Sequence, residues 1–243
     1  MQHPPFTPPK KKLYLQLDPI LVNSQAITQI SHHPPVFLCK DFLIPTECSQ
    51  LINAASDSFQ PSPVVGAGDG VTTEARVSQS CYLANNDLPG LIERILKLFP
   101  CLAPHQCECP QVGFYQPGGR YDQHFDAFNV STEDGLRFTE NGGQRIGTVL
   151  IYLNDVASGG NTCFPLLKNG EGAMLRVTPT AGSALVFFPS YLDEEGKAVL
   201  DDMALHAAEP VGENCHKYVS QVWIRQRAYA GLASKRLCVP LEW

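Results

Sequence analysis

The chain has 243 residues, 44% of them hydrophobic and 17% charged, the balance of an ordinary globular protein rather than a disordered one. Its net charge of −6 is mild and spread out, which speaks against a nucleic-acid-binding surface, since that needs a basic stripe. No apolar signal core opens the chain and no apolar stretch is long enough to cross a bilayer. A soluble chain is expected, cytoplasmic by default, with a secretory lumen open if a targeting segment was removed.

Residues 1–35 are Pro-rich and read as a mostly irregular arm with one strand near Leu13–Leu17. Within it, Lys10-Lys11-Lys12 reads as a solvated run, and His32-His33-Pro34-Pro35 as a surface loop rather than a metal site. Pro45 to Ser58 carries apolar Cys48, Leu51, Ile52 and Ala55 at helical spacing behind a proline in the first turn, which predicts a helix. Leu88 to Phe99 repeats the pattern and Pro100 stops it. Between the two, a Gly-rich loop at 66–70 precedes a predicted strand Val77–Leu83. The loop is not followed by a helix carrying Lys-Ser/Thr, so it is no phosphate-binding loop.

From about residue 109 the pattern turns to strands: Cys109–Gln116, Arg120–Phe125, Ile146–Leu153, Thr162–Phe164, Ala173–Val177, Ser183–Phe188, Met203–Ala207 and Tyr218–Arg227. Gly, Pro, Asn and Asp punctuate them. Many short strands separated by turns predict a mainly β fold with flanking helices, a jelly roll or barrel. The loop Ala127–Gly143 reads as long and polar. The nine cysteines include no C-x-x-C pair, so the spacing of a zinc site is absent.

Residues i and i+2 of a strand point to one side, so His124 and Asp126 converge. A later strand supplies His206. Two imidazoles and one carboxylate are a ligand set that suits Fe(II) and leaves coordination positions open. Lys217 offers a point charge for the far carboxylate of an oxo-diacid.

These residues sit in an ordered series. Phe114-Tyr115-Gln116-Pro117-Gly118-Gly119-Arg120-Tyr121 runs into His124-Phe125-Asp126. Gly142-Gly143-Gln144-Arg145 leads into the strand ending at Leu153. Gly159-Gly160-Asn161-Thr162, then His206-Ala207-Ala208-Glu209-Pro210-Val211, then Lys217 to Arg225 close it. On these motifs, from roughly Val36 to Arg227, the chain resembles the prolyl 4-hydroxylase family of Fe(II)- and 2-oxoglutarate-dependent dioxygenases.

The resemblance implies a double-stranded β-helix, or jelly roll, over residues 36–228, with its core at about 109–228, an arm before it and a tail at 229–243. It implies hydroxylation of peptidyl proline to 4-hydroxyproline, of the procollagen-proline 4-dioxygenase type. Fe(II), O₂, 2-oxoglutarate and ascorbate would be needed, and succinate and CO₂ released. His124, Asp126 and His206 match the iron ligands. Lys217, Tyr115 and Thr162 match the 2-oxoglutarate site. Tyr121, Arg145, Trp223 and Arg225 match residues lining the proline groove, and Arg76 and Ser78 match the edge of a flap, loop 64–75, that closes over peptide. Asn161 departs from the glutamate usual in the family. The implied partner is a proline-containing peptide, with no nucleic acid and no membrane; oligomeric state is not fixed.

Two other readings stand beside this one. The same cofactors could serve a free amino acid, another small molecule or an alkylated base, although demethylases of alkylated nucleic acids typically carry Arg where this chain has Lys217. A jelly-roll interaction module without chemistry would bind no iron.

Overall fold

The computed structural model describes residues 11–22, 24, 26–63, 74–84 and 90–229. Segments 64–73 and 230–243, and with them most of the expected flap and tail, lie outside the described residues.

The elements run in the order α1 (Pro19–Val22), β1 (Ile27–His32), β2 (Pro35–Cys39), α2 (Pro45–Ala55), β3 (Gln60–Pro61), β4 (Arg76–Val77), β5 (Gln79–Tyr82) and α3 (Leu91–Leu98). Then come β6 (Gln111–Tyr115), β7 (Arg120–His124), α4 (Glu133–Glu140), β8 (Arg145–Tyr152), β9 (Thr162–Lys168) and β10 (Met174–Val177). The series ends with β11 (Ala184–Phe187), β12 (Ser190–Leu192), β13 (Ala198–Leu200), β14 (His206–Ala208) and β15 (Lys217–Arg225).

An eight-stranded sheet has the order β1-β2-β11-β8-β15-β6-β5-β3, and a five-stranded sheet the order β10-β9-β14-β7-β4. All pairings are antiparallel, which makes the jelly roll expected from the sequence. β12 and β13 form a separate hairpin.

The large sheet is buried on both faces, so its central strands β8 and β15 are almost continuously apolar or buried. Its outer face carries Val149, Ile151, Val186, Val222 and Ile224, packed with Leu51 of α2 and Ile95 of α3. Its inner face carries Leu150, Tyr152, Leu185, Phe187 and Val219, packed with Phe164 of the small sheet. The strand period of two separates these sets: one face builds the structural core, the other looks toward the site. α2 and α3 are clamped together by Arg94, which donates to both carboxylate oxygens of Glu47 at 2.8 and 2.7 Å and to the Phe42 carbonyl at 2.6 Å.

Four local expectations are corrected. The strand read as Val77–Leu83 is two strands: β4 pairs with β7 in the small sheet and β5 with β6 in the large one, and the chain changes sheets at Ser78. The end of the arm is regular, because residues 27–39 form the hairpin β1–β2 on the edge of the large sheet, with His33 in its turn. The strand read as Met203–Ala207 begins as a 3-10 turn, Asp202–Ala204, capped by the side chain of Asp201. The polar loop 127–143 contains α4.

Phe188 lies in the core, 1% exposed, with the rings of Tyr14, Phe37 and Phe99 around it at 6.0, 6.3 and 6.4 Å. Phe188→Ala is expected to cost roughly 3–5 kcal/mol in urea unfolding. Val77→Ala, at an exposed position, should stay within about 0.5 kcal/mol. Equal losses at the two positions would show that this aromatic cluster is not the centre of the core.

Candidate active site

β14 lies between β9 and β7, and the antiparallel register sets His206 opposite His124. Asp126 follows β7 at the i+2 position, so its carboxylate returns to the same side. Asp126 Oδ1 is 3.9 Å from His124 Nε2, and Oδ2 is 3.7 Å from His206 Nε2. The potential ligand atoms of the three residues lie within 4.8 Å of one another.

Each imidazole is oriented from behind. His124 Nδ1 donates to the Asp122 carbonyl at 2.8 Å and His206 Nδ1 to the Ala204 carbonyl at 3.0 Å, which leaves both Nε2 lone pairs aimed at Asp126. Burial, with His206 alongside, pushes the His124 pKa down to about 3, so the ring is the neutral form that binds metal. Burial opposes the charge on Asp126, but His206, His124, Arg145 and a hydrogen bond from Thr148 together hold its carboxyl below the usual range. Thr148 Oγ1 donates to Asp126 Oδ2 at 2.8 Å. Two imidazoles and an ionised carboxylate meeting at one point fit a divalent transition metal with positions left open.

The turn that carries Ala204 is itself held. Asp201 is fully buried and accepts from Tyr14 Oη at 2.5 Å, Lys12 Nζ at 2.8 Å and the Met203 amide at 3.1 Å. The N-terminal segment is thus part of the support under His206.

Lys217 begins β15, 1% exposed, opposite Tyr115 on β6. Its Nζ donates to the Gly160 carbonyl at 2.6 Å, and no ion pair to it exists among the described residues. Burial lowers its pKa to about 7. Gly159 and Gly160 both adopt positive φ, +66° and +65°, and a Cβ on Gly159 would run into the Pro210 carbonyl, so the carbonyl-presenting turn requires glycine there. Thr162 is buried and accepts a 2.9 Å hydrogen bond from Tyr152 Oη. An unpaired buried ammonium flanked by hydroxyl groups is suited to an anion that enters and neutralises it.

The metal-ligand cluster opens into a cavity of about 690 Å³ whose wall includes Arg76, Tyr121, Arg145, Trp223 and residues of α4. Tyr121 stacks on His124 with ring centroids 3.5 Å apart, and the Arg76 guanidinium lies 4.8 Å from the Tyr121 centroid. Arg76 also donates to Gln111 Oε1 at 3.1 Å and to Ser78 Oγ at 3.1 Å. Ser78 lines a neighbouring pocket of about 510 Å³ that shares Arg76. Arg145 lies 3.7 Å from the Trp223 ring and makes a bidentate pair with Glu108, 2.8 Å on each side. Arg225 is not in the cavity wall; it is 2% exposed beneath α4. Asn161 donates to Glu209 Oε2 at 2.9 Å, and Arg176 pairs with the other oxygen at 2.7 Å.

A family model described as the 2OG-Fe(II) oxygenase superfamily matches residues 110–225. The probable prolyl 4-hydroxylase 6 of Arabidopsis thaliana is 33% identical over 236 residues, covering 90% of this chain and 77% of its own length. The chain belongs to the prolyl 4-hydroxylase family. Prolyl 4-hydroxylase 2 of the same plant is 31% identical over 223 residues, covering 84% of this chain and 71% of its own length. Among solved structures, the viral collagen prolyl hydroxylase of Paramecium bursaria Chlorella virus-1, in a 2OG complex, is similar at 25% identity. It has a TM-score of 0.57, over 78% of this chain and 95% of that one. Membership of this prolyl 4-hydroxylase family makes Fe(II) and 2-oxoglutarate the cofactor and co-substrate, and the His-Asp-His donor set fits the metal.

Sequence reasoning missed Thr148, Tyr152, Glu108 and Asp201. The first two had a signal: both are polar groups on the inward-facing register of the apolar strand β8, two positions either side of Leu150. Glu108 and Asp201 had none beyond being acidic. Thr148→Val keeps shape and removes the hydrogen bond to Asp126. It is expected to weaken divalent metal affinity by about tenfold, read by Mn(II) titration with unchanged circular dichroism. Unchanged affinity would show that Asp126 needs no such support.

Proposed function

We propose that this protein hydroxylates carbon 4 of a peptidyl proline, converting O₂ and 2-oxoglutarate to succinate and CO₂, with ascorbate as reductant. The observation that carries the reading is one cavity lined by His124 and Asp126 of the His124-Asp126-His206 cluster together with Tyr121, Trp223, Arg76 and Arg145. Names of relatives support it: plant prolyl 4-hydroxylases and a viral collagen prolyl hydroxylase.

In this reading His124, Asp126 and His206 hold Fe(II). The metal with its co-substrates supplies the oxidising power; the protein's part is orientation and exclusion of water. Lys217 receives the far carboxylate of 2-oxoglutarate, with Tyr115 and the Tyr152-held hydroxyl of Thr162 as hydrogen-bonding neighbours. A buried ammonium and a buried carboxylate each remove the desolvation cost of leaving the other alone. Tyr121 and Trp223 present apolar ring faces to the pyrrolidine, and Arg76 and Arg145 supply donors for peptide carbonyls. Proline-rich peptides favour an extended left-handed helix that such an aromatic groove accepts with little ordering cost. Arg76 and Ser78 stand at the base of the segment proposed to close over the peptide.

The Lys217 pKa sets a pH dependence. Only the ammonium attracts the far carboxylate, and in the free protein it is the majority form below about 7. Affinity for 2-oxoglutarate should be full below that pH and fall as pH rises past it, by up to about tenfold per unit. Calorimetric titration of the Zn(II)-loaded protein from pH 6 to 9 reads this, and Lys217→Arg should flatten the profile. A wild-type profile that is already flat would remove Lys217 from the role.

The activity is tested by succinate release with and without a polyproline peptide, followed by mass spectrometry of the peptide. Peptide-stimulated release and the gain of one oxygen per modified proline are expected. Turnover of 2-oxoglutarate that ignores every proline peptide would contradict the substrate assignment and leave only the metal chemistry.

A further inference from the structure

The helix α4 forms part of the cavity wall through Glu133, Asp134, Gly135 and Phe138. It is eight residues long, too short to be stable on its own. Gly135 is its one buried residue, Leu136 is 54% exposed, and Phe138 is half-buried. Burial therefore does little to fix it, and its position must come from specific contacts. At its start, Thr132 Oγ1 accepts from the Gly135 amide at 3.1 Å. In its last turn, the Phe138 ring stacks on Phe128 at 5.4 Å.

Arg225 adds support at the other end of the helix. Its Nη2 donates to the Phe138 carbonyl at 2.7 Å and to the Asn141 carbonyl. A cation bonding the carbonyls at a helix C-terminus satisfies groups the helix itself leaves unpaired and opposes its dipole. The same guanidinium lies 4.7 Å from the Phe128 centroid, so it also backs the ring on which Phe138 stacks. Its Nε is 3.5 Å from Glu108 Oε1, the carboxylate that holds Arg145. Arg145 in turn rests on Trp223 and reaches the Asp126 carbonyl at 3.4 Å. One carboxylate thus ties a guanidinium on the cavity floor to a guanidinium under the cavity roof.

We propose that α4 is a fixed roof over the peptide groove and that Arg225, which does not face the groove, is its positioning residue. This rests on the proposed function only for the identity of the ligand. Because α4 touches neither the metal ligands nor Lys217 through any side chain described above, loosening it should affect peptide and spare metal and 2-oxoglutarate.

The test compares the full-length protein with Arg225→Met, Arg225→Lys and Phe138→Ala. Amide hydrogen exchange over residues 136–143 is measured without peptide. Peptide KM and kcat, Mn(II) affinity and 2-oxoglutarate affinity are measured alongside. Arg225→Met is expected to lose protection across 136–143 and to raise peptide KM about tenfold at similar kcat, with both other affinities within about twofold. Arg225→Lys should restore part of the protection. Phe138→Ala, on the roof itself, should raise KM similarly, and the double variant should lose no more than the larger single loss, since both act through one element.

Wild-type protection in Arg225→Met with raised KM would overturn the proposal in favour of direct substrate contact. Lost metal or 2-oxoglutarate affinity would overturn it in favour of a general structural role. Lost protection with unchanged KM would overturn the roof. If the wild-type protein turns over no peptide, the proposed function falls on that result alone, and the exchange data still decide whether Arg225 sets α4.

Discussion

The antiparallel pairing of β7 with β14 is the constraint on which the site depends. It sets His124 opposite His206 across a single strand pair. Asp126, two residues past the strand end, completes the face. Register is costly to change in a buried sheet, because a slip of one residue sends every side chain to the opposite face. The cluster therefore inherits the rigidity of the small sheet, and the backbone carbonyls of Asp122 and Ala204 need only settle ring rotation.

Around this rigid pair the molecule buries an unusual amount of charge on the inward face of the large sheet. Lys217 and Arg225 share β15, Arg145 begins β8, and Glu108 precedes β6. Their compensation is unequal. Arg145 and Glu108 form a bidentate pair, Arg225 shares the same carboxylate at longer range, and Lys217 has one carbonyl. Burial charges a cost to each, and the group left least compensated is where an external anion gains most by entering. One end of the sheet thus brings protein charges of opposite sign together, whereas Lys217 makes no ion pair among the described residues.

How much of this was legible in the sequence follows from the range of the interactions. The His-x-Asp spacing, the apolar runs of β8, β11 and β15 and the helical period of α2 and α3 are local patterns, and they mark the elements they become. α4 was not legible: it contains a glycine, its only apolar side chains are Leu136 and Phe138, and its support comes from Arg225 far along the chain. The sheet switch at Ser78 was hidden because each half of the segment alternates acceptably and only the partners differ. Arg225 reads from its motif as a groove residue, yet its guanidinium bonds the Phe138 and Asn141 carbonyls under α4. The 3-10 turn before His206 depends on Asp201, whose partners Lys12 and Tyr14 lie at the other end of the described chain.

In the proposed reading one small-molecule site is held from two directions, by the His124-Asp126-His206 cluster and by Lys217. The most direct measurement is an anaerobic titration of the Fe(II)-loaded protein with 2-oxoglutarate, followed by the visible charge-transfer absorption of the metal chelate. A band saturating at one equivalent is expected, absent in Asp126→Ala, and formed in Lys217→Ala only at much higher 2-oxoglutarate. A band that survives loss of Asp126, or that forms equally well without Lys217, would contradict it.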